Sequence, residues 1–298
     1  MLTVVILTRN EERHIARAIG SVRDIAARIQ VVDSGSTDRT VEIAQGLGAE
    51  VRANPWRNHA TQFNWGLDQL PPDTGWVLRL DADEVVSAEL ARQIAATLPT
   101  LGPEVDGVTV GRRMAFLRRP IRHGGLFPIR VLRLFRHGRG RCEDRWMDEH
   151  IKVAGAVVDL PGELLDDNLN SLTWWTDKHN SYSSREVIDI LNLEHGFMPH
   201  DTVAALGAGQ AGRKRWLKEK VYARLPGGLR TMVYFLYRYI LRGGFLDGRE
   251  GLAFHVLQGF WYRFLVDAKL AEVKAYMKET GADAPEAIRV VLGFDVRR

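Results

Sequence analysis

The sequence predicts an α/β fold: a mixed, mainly parallel sheet flanked by helices, followed by a helical extension at the C-terminus. Through the first half of the chain, short apolar runs alternate with amphipathic helical patterns, which is typical of parallel sheets. The run from Trp76 to Leu80 is rich in large apolar side chains, as expected for a strand covered on both faces. With 45% hydrophobic residues, the 298-residue chain can bury a sizeable core. We assign residues 1–212 to the α/β domain and residues 213–298 to the extension.

The individual elements follow in chain order. Apolar runs predict strands at residues 4–7, 29–32, 50–53, 76–80, 107–110 and 130–135, and another from residue 151. Amphipathic patterns predict helices at residues 11–22, 39–46, around Gln62 to Leu67, and 87–98. Asn10 and Ser87 stand where N-caps are expected. The remainder predicts a helix at 171–193, a loop at 196–212 and aromatic-rich helices beyond it.

Polar side chains collect where the first two strands end. Thr8-Arg9-Asn10 follows the first strand, and Asp33-Ser34-Gly35-Ser36-Thr37-Asp38 follows the second. One N-cap needs one such side chain, so the surplus in the second turn favours a ligand site, with plain capping as the alternative. The first turn lacks Gly-x-Gly-x-x-Gly, which argues against a dinucleotide-binding dehydrogenase.

Three acids follow the fourth strand, in the run Asp81-Ala82-Asp83-Glu84. Ligands of open α/β sheets bind beyond the carboxyl ends of the strands, so these carboxylates are expected at the rim of a cleft. Clustered carboxylates repel one another unless a cation lies among them, and such oxygens suit Mg²⁺ or Mn²⁺. A solvated acidic turn is the alternative interpretation.

The net charge of +4 is unevenly distributed. Residues 112–145 contain 11 Arg and two acids, and residues 213–230 contain seven Lys or Arg and one Glu. Such blocks can face phosphorylated substrates, anionic lipid, nucleic acid or only solvent. A single cysteine, Cys142, excludes an internal disulfide framework, and no signal peptide or long apolar span is visible. We therefore expect a cytoplasmic protein.

The C-terminal extension carries an apolar stripe. Met232, Phe235, Leu236, Tyr239 and Ile240 recur at helical spacing, and residues 254–266 are apolar almost all round. These helices would lie on the anionic inner face of the cytoplasmic membrane, held by neighbouring Arg and Lys, or else bury the same surface in a helical subdomain or a homodimer.

The ordered set of motifs resembles an inverting glycosyltransferase of family 2 with the GT-A fold, closest to bacterial members that extend lipopolysaccharide core or exopolysaccharide. The stretches that carry the resemblance are residues 5–12, 32–38, Asn64 in its helix, 80–84, 128–135 and 244–248. The resemblance implies a nucleotide-sugar donor, more often a UDP-sugar, a saccharide or lipid-linked acceptor, and no nucleic-acid partner. The donor-binding residues it implies are Thr8, Arg9, Glu11, Asp33, Asp38, Asn64, Asp81, Ala82, Arg130 and Arg133.

The resemblance also implies a metal and a catalytic base. Asp83, with Asp81 sharing the load, would hold Mn²⁺ or Mg²⁺ on the donor diphosphate. Where related members carry a late His ligand, Asp166 or Asp167 stands here. The base that deprotonates the acceptor would be Glu149, with Asp148 second, because adjacent residues of an extended segment point to opposite sides.

Two other functions stay open. A membrane-surface scaffold that keeps the fold but has lost transfer would have no need of the costly clustered charge. A nucleotidyltransferase would be expected to carry a Gly-rich, Lys-bearing phosphate loop in the first turn, and this chain has none.

Overall fold

The computed structural model describes residues 1–127, 129–143, 149–198 and 228–297. These residues fall into two compact units, the first made of residues 1–143 and 149–171, and the second of the described residues from 172 onward. The predicted boundary at 212/213 lies outside the described residues and stays a prediction. The helix predicted at 171–193 was assigned to the α/β domain, but it packs within the second unit.

The first unit contains eleven strands among its described residues. They are β1 (Leu2–Thr8), β2 (Arg28–Asp33), β3 (Glu50–Ala53), β4 (Trp76–Asp81), β5 (Glu84–Val86), β6 (Val105–Phe116), β7 (Arg119–Pro120), β8 (Ile129–Arg136), β9 (Gly140–Cys142), β10 (Ile151–Val153) and β11 (Ala156–Asp167). The helices are α1 (Ile15–Val22), α2 (Thr40–Gly46), α3 (His59–Asp68) and α4 (Ala88–Thr97).

The main sheet has the strand order β3-β2-β1-β4-β8-β6-β11-β5, with β7 beside β6. The first four strands in this order are parallel, β8 runs antiparallel to both neighbours, and β11 is parallel to β6. A separate antiparallel pair joins β9 and β10. The predicted mixed sheet flanked by helices is confirmed, and the parallel strands bring the ends of β1, β2 and β4 to one edge.

Strand alternation explains how both faces are covered. Val4 and Ile6 of β1 pack with α1 and α4, whereas Val5 faces α3 and its buried Phe63. Successive side chains of a strand point to opposite faces, so a continuous apolar run can serve both layers.

Of the two predicted helix caps, one is confirmed and one is wrong. The Ser87 side chain accepts a hydrogen bond from Leu90 N, which confirms it as the cap of α4. The Asn10 cap is wrong: α1 begins at Ile15, and Asn10 has a left-handed φ of 57°. Its Oδ1 accepts from Thr37 N at 2.8 Å and its own N donates to Ser36 Oγ at 2.9 Å. Asn10 therefore joins the two predicted ligand turns.

The second unit is helical. Its described helices are α5 (Leu172–His195), α6 (Leu229–Leu236), α7 (Gly248–Phe254), α8 (Tyr262–Thr280) and α9 (Ala284–Leu292). α6 continues as a π-helix over Tyr237–Leu241, and α7 as another over His255–Trp261. The core joins α5, α8 and α9, which confirms the predicted C-terminal helices. No helix in the described ranges is both long enough and apolar enough to cross a bilayer.

Close packing at Gly244 makes a side chain there costly. A Cβ at Gly244 would lie 2.5 Å from His255 Nε2 and 3.0 Å from the Arg238 carbonyl oxygen. We predict that Gly244→Ala lowers the free energy of unfolding by about 1–3 kcal/mol, the usual cost of overpacking. The control is Gly259→Ala, where a Cβ would have no heavy atom within 4 Å. Urea titrations that show equal effects of the two substitutions would contradict the packing described.

Buried His255 should make the second unit sensitive to acid. Neither ring nitrogen has a hydrogen-bond partner among the described residues. Burial, helped by the charge of Arg238, lowers the pKa of His255 to about 4. Because the unfolded chain takes up this proton near its ordinary pKa of about 6.5, stability present above that pH is lost as the pH falls toward 4.

We predict that the His255 linkage removes about 2 kcal/mol from the free energy of unfolding between pH 6.5 and 5. His255→Leu should flatten that part of the pH dependence in urea titrations of the whole chain. The same slope in both proteins would show that His255 is not the titrating group.

Candidate active site

The ends of β1 and β2 form a hydrogen-bonded pair of turns. Thr8 Oγ1 donates to Asp33 Oδ1 at 2.9 Å, and both side chains are buried. Asp33 Oδ2 also accepts from Gly35 N and Ser36 N, at 2.9 and 2.8 Å. The Asp33 carboxylate therefore stabilises the turn. The sequence analysis had assigned this side chain to binding the nucleotide-sugar. The predicted gathering of polar residues at one sheet edge is present.

Asp38 closes the same edge. Its Oδ1 accepts from Thr40 N at 3.0 Å and from Thr40 Oγ1 at 2.5 Å, and its Oδ2 accepts from Glu12 N at 3.2 Å. Burial raises the pKa of Asp38, but these bonds outweigh it and hold the pKa below its ordinary value. Arg9, in the first turn, is exposed.

His14 is a site residue that the sequence analysis missed. It is fully buried; its Nδ1 lies 2.6 Å from Glu11 Oε2, and its Nε2 accepts from Leu169 N at 2.8 Å. Arg17 extends this link, because its Nη2 donates to the Asp167 carbonyl oxygen at 2.7 Å. Glu11 is thus tied to the end of β11.

The acidic run after β4 is neutralised by arginines. Arg133 Nη2 lies 2.9 Å from Asp81 Oδ2 and 2.5 Å from Glu84 Oε1. Arg133 reaches them because β8 bulges: Val108 pairs with Leu134 and Thr109 with Leu132, which leaves Arg133 as the extra residue. Bulges commonly redirect a side chain next to a functional site.

A second arginine completes this acidic cluster. Arg112 Nη2 lies 2.5 Å from Asp166 Oδ2, and its Nε lies 3.6 Å from Glu84 Oε1. Glu84 is 1% exposed, and burial raises its pKa to about 7, with Asp81 and Asp166 adding to the rise and Arg133 opposing it. Burial also raises the pKa of Asp81, but Arg133 and Arg79 outweigh it and hold that pKa well below its usual range. The cluster therefore keeps Asp81 ionised and raises the pKa of Glu84 above its ordinary value.

Asp83 differs from its neighbours. It is half-buried, and its carboxylate has one protein contact within the described ranges, from Asn168 Nδ2 to Oδ2 at 3.0 Å. The Asp83 carbonyl oxygen accepts from Asp167 N at 3.2 Å, which fixes the end of β11 beside it. Asp83 is thus the carboxylate of the acidic run that no arginine pairs with in the described structure.

The residues around Asp83 fit a hard cation held mainly by substrate oxygens. Mg²⁺ is usually bound through one or two carboxylates plus phosphates. Asp81 is partly committed to Arg133 and Arg79, so Asp83 is the stronger candidate ligand. The described residues contain no group of three or more His, Cys, Asp or Glu arranged to hold a metal.

The two acids that stand where related members carry a late His ligand pair with arginines: Asp166 with Arg112, and Asp167 with Arg17 at 3.2 Å. The identity of a third metal ligand stays a prediction. Asn168, which the sequence analysis did not single out, is the residue of this segment whose side chain meets Asp83.

Glu149, the predicted base, is linked to the acidic run through Arg79. Arg79 Nη2 donates to Glu149 Oε1 at 2.9 Å, while Arg79 Nε lies 3.6 Å from Asp81 Oδ1. One guanidinium therefore contacts both the donor-side carboxylate and the proposed base. Asp148 lies outside the described residues, and its role stays a prediction.

Three residues that the resemblance implies in donor binding make contacts within the protein, and their donor-binding role stays a prediction. Asn64 Nδ2 donates to the Cys142 carbonyl oxygen at 2.8 Å, and its Oδ1 accepts from Cys142 N at 2.9 Å. Both functions of its amide thus attach β9 to α3. Arg130 Nε donates to Asp159 Oδ1 at 2.6 Å, so it grips β11 rather than joining the acidic cluster. Ala82 is 5% exposed and packs in the core.

The chain is similar to several known glycosyltransferases. The family described as "Glycosyl transferase family 2" matches residues 3–147. An uncharacterized glycosyltransferase of Rickettsia typhi is 45% identical over 93 residues, which are 31% of this chain and 31% of that protein. The chain thus spans about a third of the length of that relative.

A longer match is the lipopolysaccharide core biosynthesis glycosyltransferase LpsC of Rhizobium meliloti, 26% identical over 289 residues, which cover 95% of this chain and 96% of LpsC. Among solved structures, glucosyl-3-phosphoglycerate synthase from Mycobacterium tuberculosis with Mn²⁺ and uridine diphosphate is 24% identical and covers 38% of this chain and 44% of that one, with a TM-score of 0.33. Residues 3–147 therefore match glycosyltransferase family 2, and the resemblance to the glycosyltransferase LpsC extends over nearly the whole chain.

Proposed function

We propose that the chain is an inverting glycosyltransferase that moves a sugar from a nucleoside diphosphate donor, most often a UDP-sugar, to a saccharide or lipid-linked acceptor in bacterial cell-surface polysaccharide synthesis. The proposal is carried by one observation: the Arg79 guanidinium contacts both Asp81 and Glu149. Direct displacement needs donor-side carboxylates and a base within one sugar's reach of each other.

The donor nucleoside would lie along the edge formed by β1 and β2. Thr8, Glu11, Asp33 and Asp38 line that edge. The hydrogen bond between Thr8 and Asp33, and those to Ser36 and Thr40, fix the turns before a ligand arrives. A pre-formed site loses less conformational entropy when it binds.

The diphosphate would lie at Asp83. When bound there, Mn²⁺ or Mg²⁺ would stabilise the negative charge that develops on the leaving diphosphate. The contribution of the chain is to hold Asp83 with Asn168 and to keep Asp81 ionised through Arg133 and Arg79.

Glu149 would take the acceptor proton. Its Oε1 is occupied by Arg79, whereas Oε2 has no protein partner among the described residues. The acceptor hydroxyl would donate to Oε2 as its oxygen attacks the anomeric carbon, and the proton would stay on Glu149 when the diphosphate leaves.

The acceptor class rests on two observations. LpsC, which the chain resembles over 95% of its length, is named for lipopolysaccharide core biosynthesis. The second is an outward-facing apolar stripe on α6 and its π-helical continuation, formed by Leu229, Met232, Val233, Leu236, Tyr237, Ile240 and Leu241, each more than 40% exposed. On the inner side of the same helix lie the buried side chains of Thr231 and Arg238.

This inverted arrangement favours a lipid surface as the partner of the stripe. A helix that turns polar groups inward and apolar groups outward needs an apolar environment outside. Arg242 and Arg249 are exposed near the stripe, and their side chains have no partner in the described structure, so they can meet anionic headgroups. These observations support our proposal that the protein lies on the inner face of the cytoplasmic membrane.

We predict that Glu149→Gln lowers transfer by at least about 100-fold, a typical contribution of a general base, with donor affinity within about threefold of the parent protein. The donor is found by measuring thermal stabilisation with a panel of nucleotide-sugars, with and without Mn²⁺. A donor at about 100 times its dissociation constant should add roughly 2.7 kcal/mol.

The matched control is Glu89→Gln, at an exposed glutamate of α4. Transfer by Glu149→Gln within about tenfold of the parent protein, well short of the effect of losing a general base, would move the base elsewhere. The absence of stabilisation by any nucleotide-sugar would sink the donor class.

We predict that the protein sediments with vesicles containing anionic phospholipid, and that the double variant Leu236→Ser and Ile240→Ser loses most of that binding. Val290→Ser, at an exposed apolar residue of α9, is the control. Equal sedimentation of both variants, or loss of a dimer in place of vesicle binding, would contradict the lipid assignment.

A further inference from the structure

Arg79 is a charged side chain in the interior of the first unit. It lies in β4, is 8% exposed, and stacks its guanidinium 5.4 Å from the ring centroid of Phe63. A buried guanidinium is costly unless it is paired and hydrogen-bonded. Its surroundings therefore have to supply negative charge.

Two carboxylates supply that charge. Nη2 donates to Glu149 Oε1 at 2.9 Å, and Nε lies 3.6 Å from Asp81 Oδ1. Nη1 reaches Cys142 Sγ at 3.8 Å. Burial lowers the pKa of Arg79, but Asp81 and Glu149 outweigh it and raise the pKa above its ordinary value.

Glu149 depends on this contact for its orientation. In the described ranges, Arg79 is the polar partner of the Glu149 side chain, which is 11% exposed. The backbone that follows Glu149 is fixed independently: Ile151 pairs with Cys142, and Glu143 N donates to the His150 carbonyl oxygen at 3.0 Å. Asn64 in turn fastens Cys142 to α3. The hairpin fixes the backbone next to Glu149, and the contact with Arg79 fixes the direction of its carboxylate.

We propose that Arg79 is a positioning residue for transfer: by pairing with Glu149 and Asp81 at once, it holds the base at a fixed place relative to the donor diphosphate. This inference rests on the proposed function, because it takes Glu149 as the base. Arg79 does not touch the reacting atoms. Its effect passes through Glu149, whose free Oε2 it turns toward the acceptor.

Arg133 provides a matched comparison. Like Arg79, it is buried and contacts Asp81, yet its other carboxylate is Glu84 and not Glu149. Loss of Arg133 should change donor affinity through Asp81. Loss of Arg79 should change the rate constant for transfer through Glu149.

The first experiment measures kcat and KM for Arg79→Met, Arg79→Lys and Arg133→Met, with Mn²⁺ and the nucleotide-sugar that most stabilises the parent protein. We expect Arg79→Met to lower kcat by at least about 30-fold, close to the loss of a general base, with the donor dissociation constant within about threefold. Arg79→Lys, which keeps the charge, should recover at least about tenfold in kcat. Arg133→Met should change the donor dissociation constant more than Arg79→Met does.

An unchanged kcat in Arg79→Met would overturn the inference. An equal loss of kcat in Arg79→Lys and Arg79→Met would also overturn it.

The second experiment needs no ligand. Arg79→Met leaves the Glu149 charge without its partner, so adding Glu149→Gln should recover part of the lost urea midpoint. Strictly additive midpoints would show that the pair is not formed, and would overturn the inference even if Arg79→Met were poorly active.

The two proposals fail in different ways. If Glu149→Gln transfers sugar normally, the base assignment and the proposed mechanism fall together. If Glu149→Gln is inactive while Arg79→Met keeps its kcat and the midpoints are additive, only the positioning role of Arg79 falls.

Discussion

The structure depends on keeping several carboxylates close together at the end of one strand. Asp81, Glu84 and Asp166 lie within reach of one another, and without compensation their charges would repel strongly at this depth. Three arginines from different strands, Arg79, Arg112 and Arg133, supply the compensation. Breaking such a buried pair typically costs about 3–5 kcal/mol, so the cluster restricts how β4, β6, β8 and β11 can be arranged. The result is a charge-compensated acidic cluster, and the neighbouring Asp83 carboxylate pairs with no arginine among the described residues.

The same constraint explains the division of labour among the acids. Asp81 carries arginine contacts on both oxygens, so its main effect is electrostatic, whereas Asp83 has one amide contact and keeps acceptor capacity for a cation. Glu149 lies in the β9–β10 hairpin and, among the described residues, contacts this acidic cluster through Arg79. The proposed donor and acceptor sides are therefore assembled from distant parts of the chain, joined by one guanidinium.

The sequence predicted the parts of the site that depend on local pattern. Buried runs followed by polar turns placed Thr8, Asp33, Asp81 and Asp83 at one sheet edge, because parallel strands end together.

The sequence could not predict pairings set by tertiary structure. In the sequence, Arg79 is a single charge in an apolar strand, and His14 and Asn168 stand in no recognisable motif. Their contacts with Glu149, Leu169 and Asp83 form only when the chain folds. Motif position also does not show that the polar groups of Asn64 and Arg130 contact Cys142 and Asp159, and the role of both residues in donor binding stays a prediction.

The central claim is that Asp83, the edge at Thr8 and Asp33, and Glu149 form one site for a nucleoside diphosphate and its sugar. The most direct measurement is a crystal structure of the chain soaked with Mn²⁺ and uridine diphosphate, with anomalous data collected at the manganese edge. The account predicts an anomalous peak at the Asp83 carboxylate, the nucleoside along the ends of β1 and β2, and Glu149 facing the diphosphate across a space one hexose fills. A manganese peak away from Asp83, or a nucleotide bound elsewhere on the molecule, would contradict it.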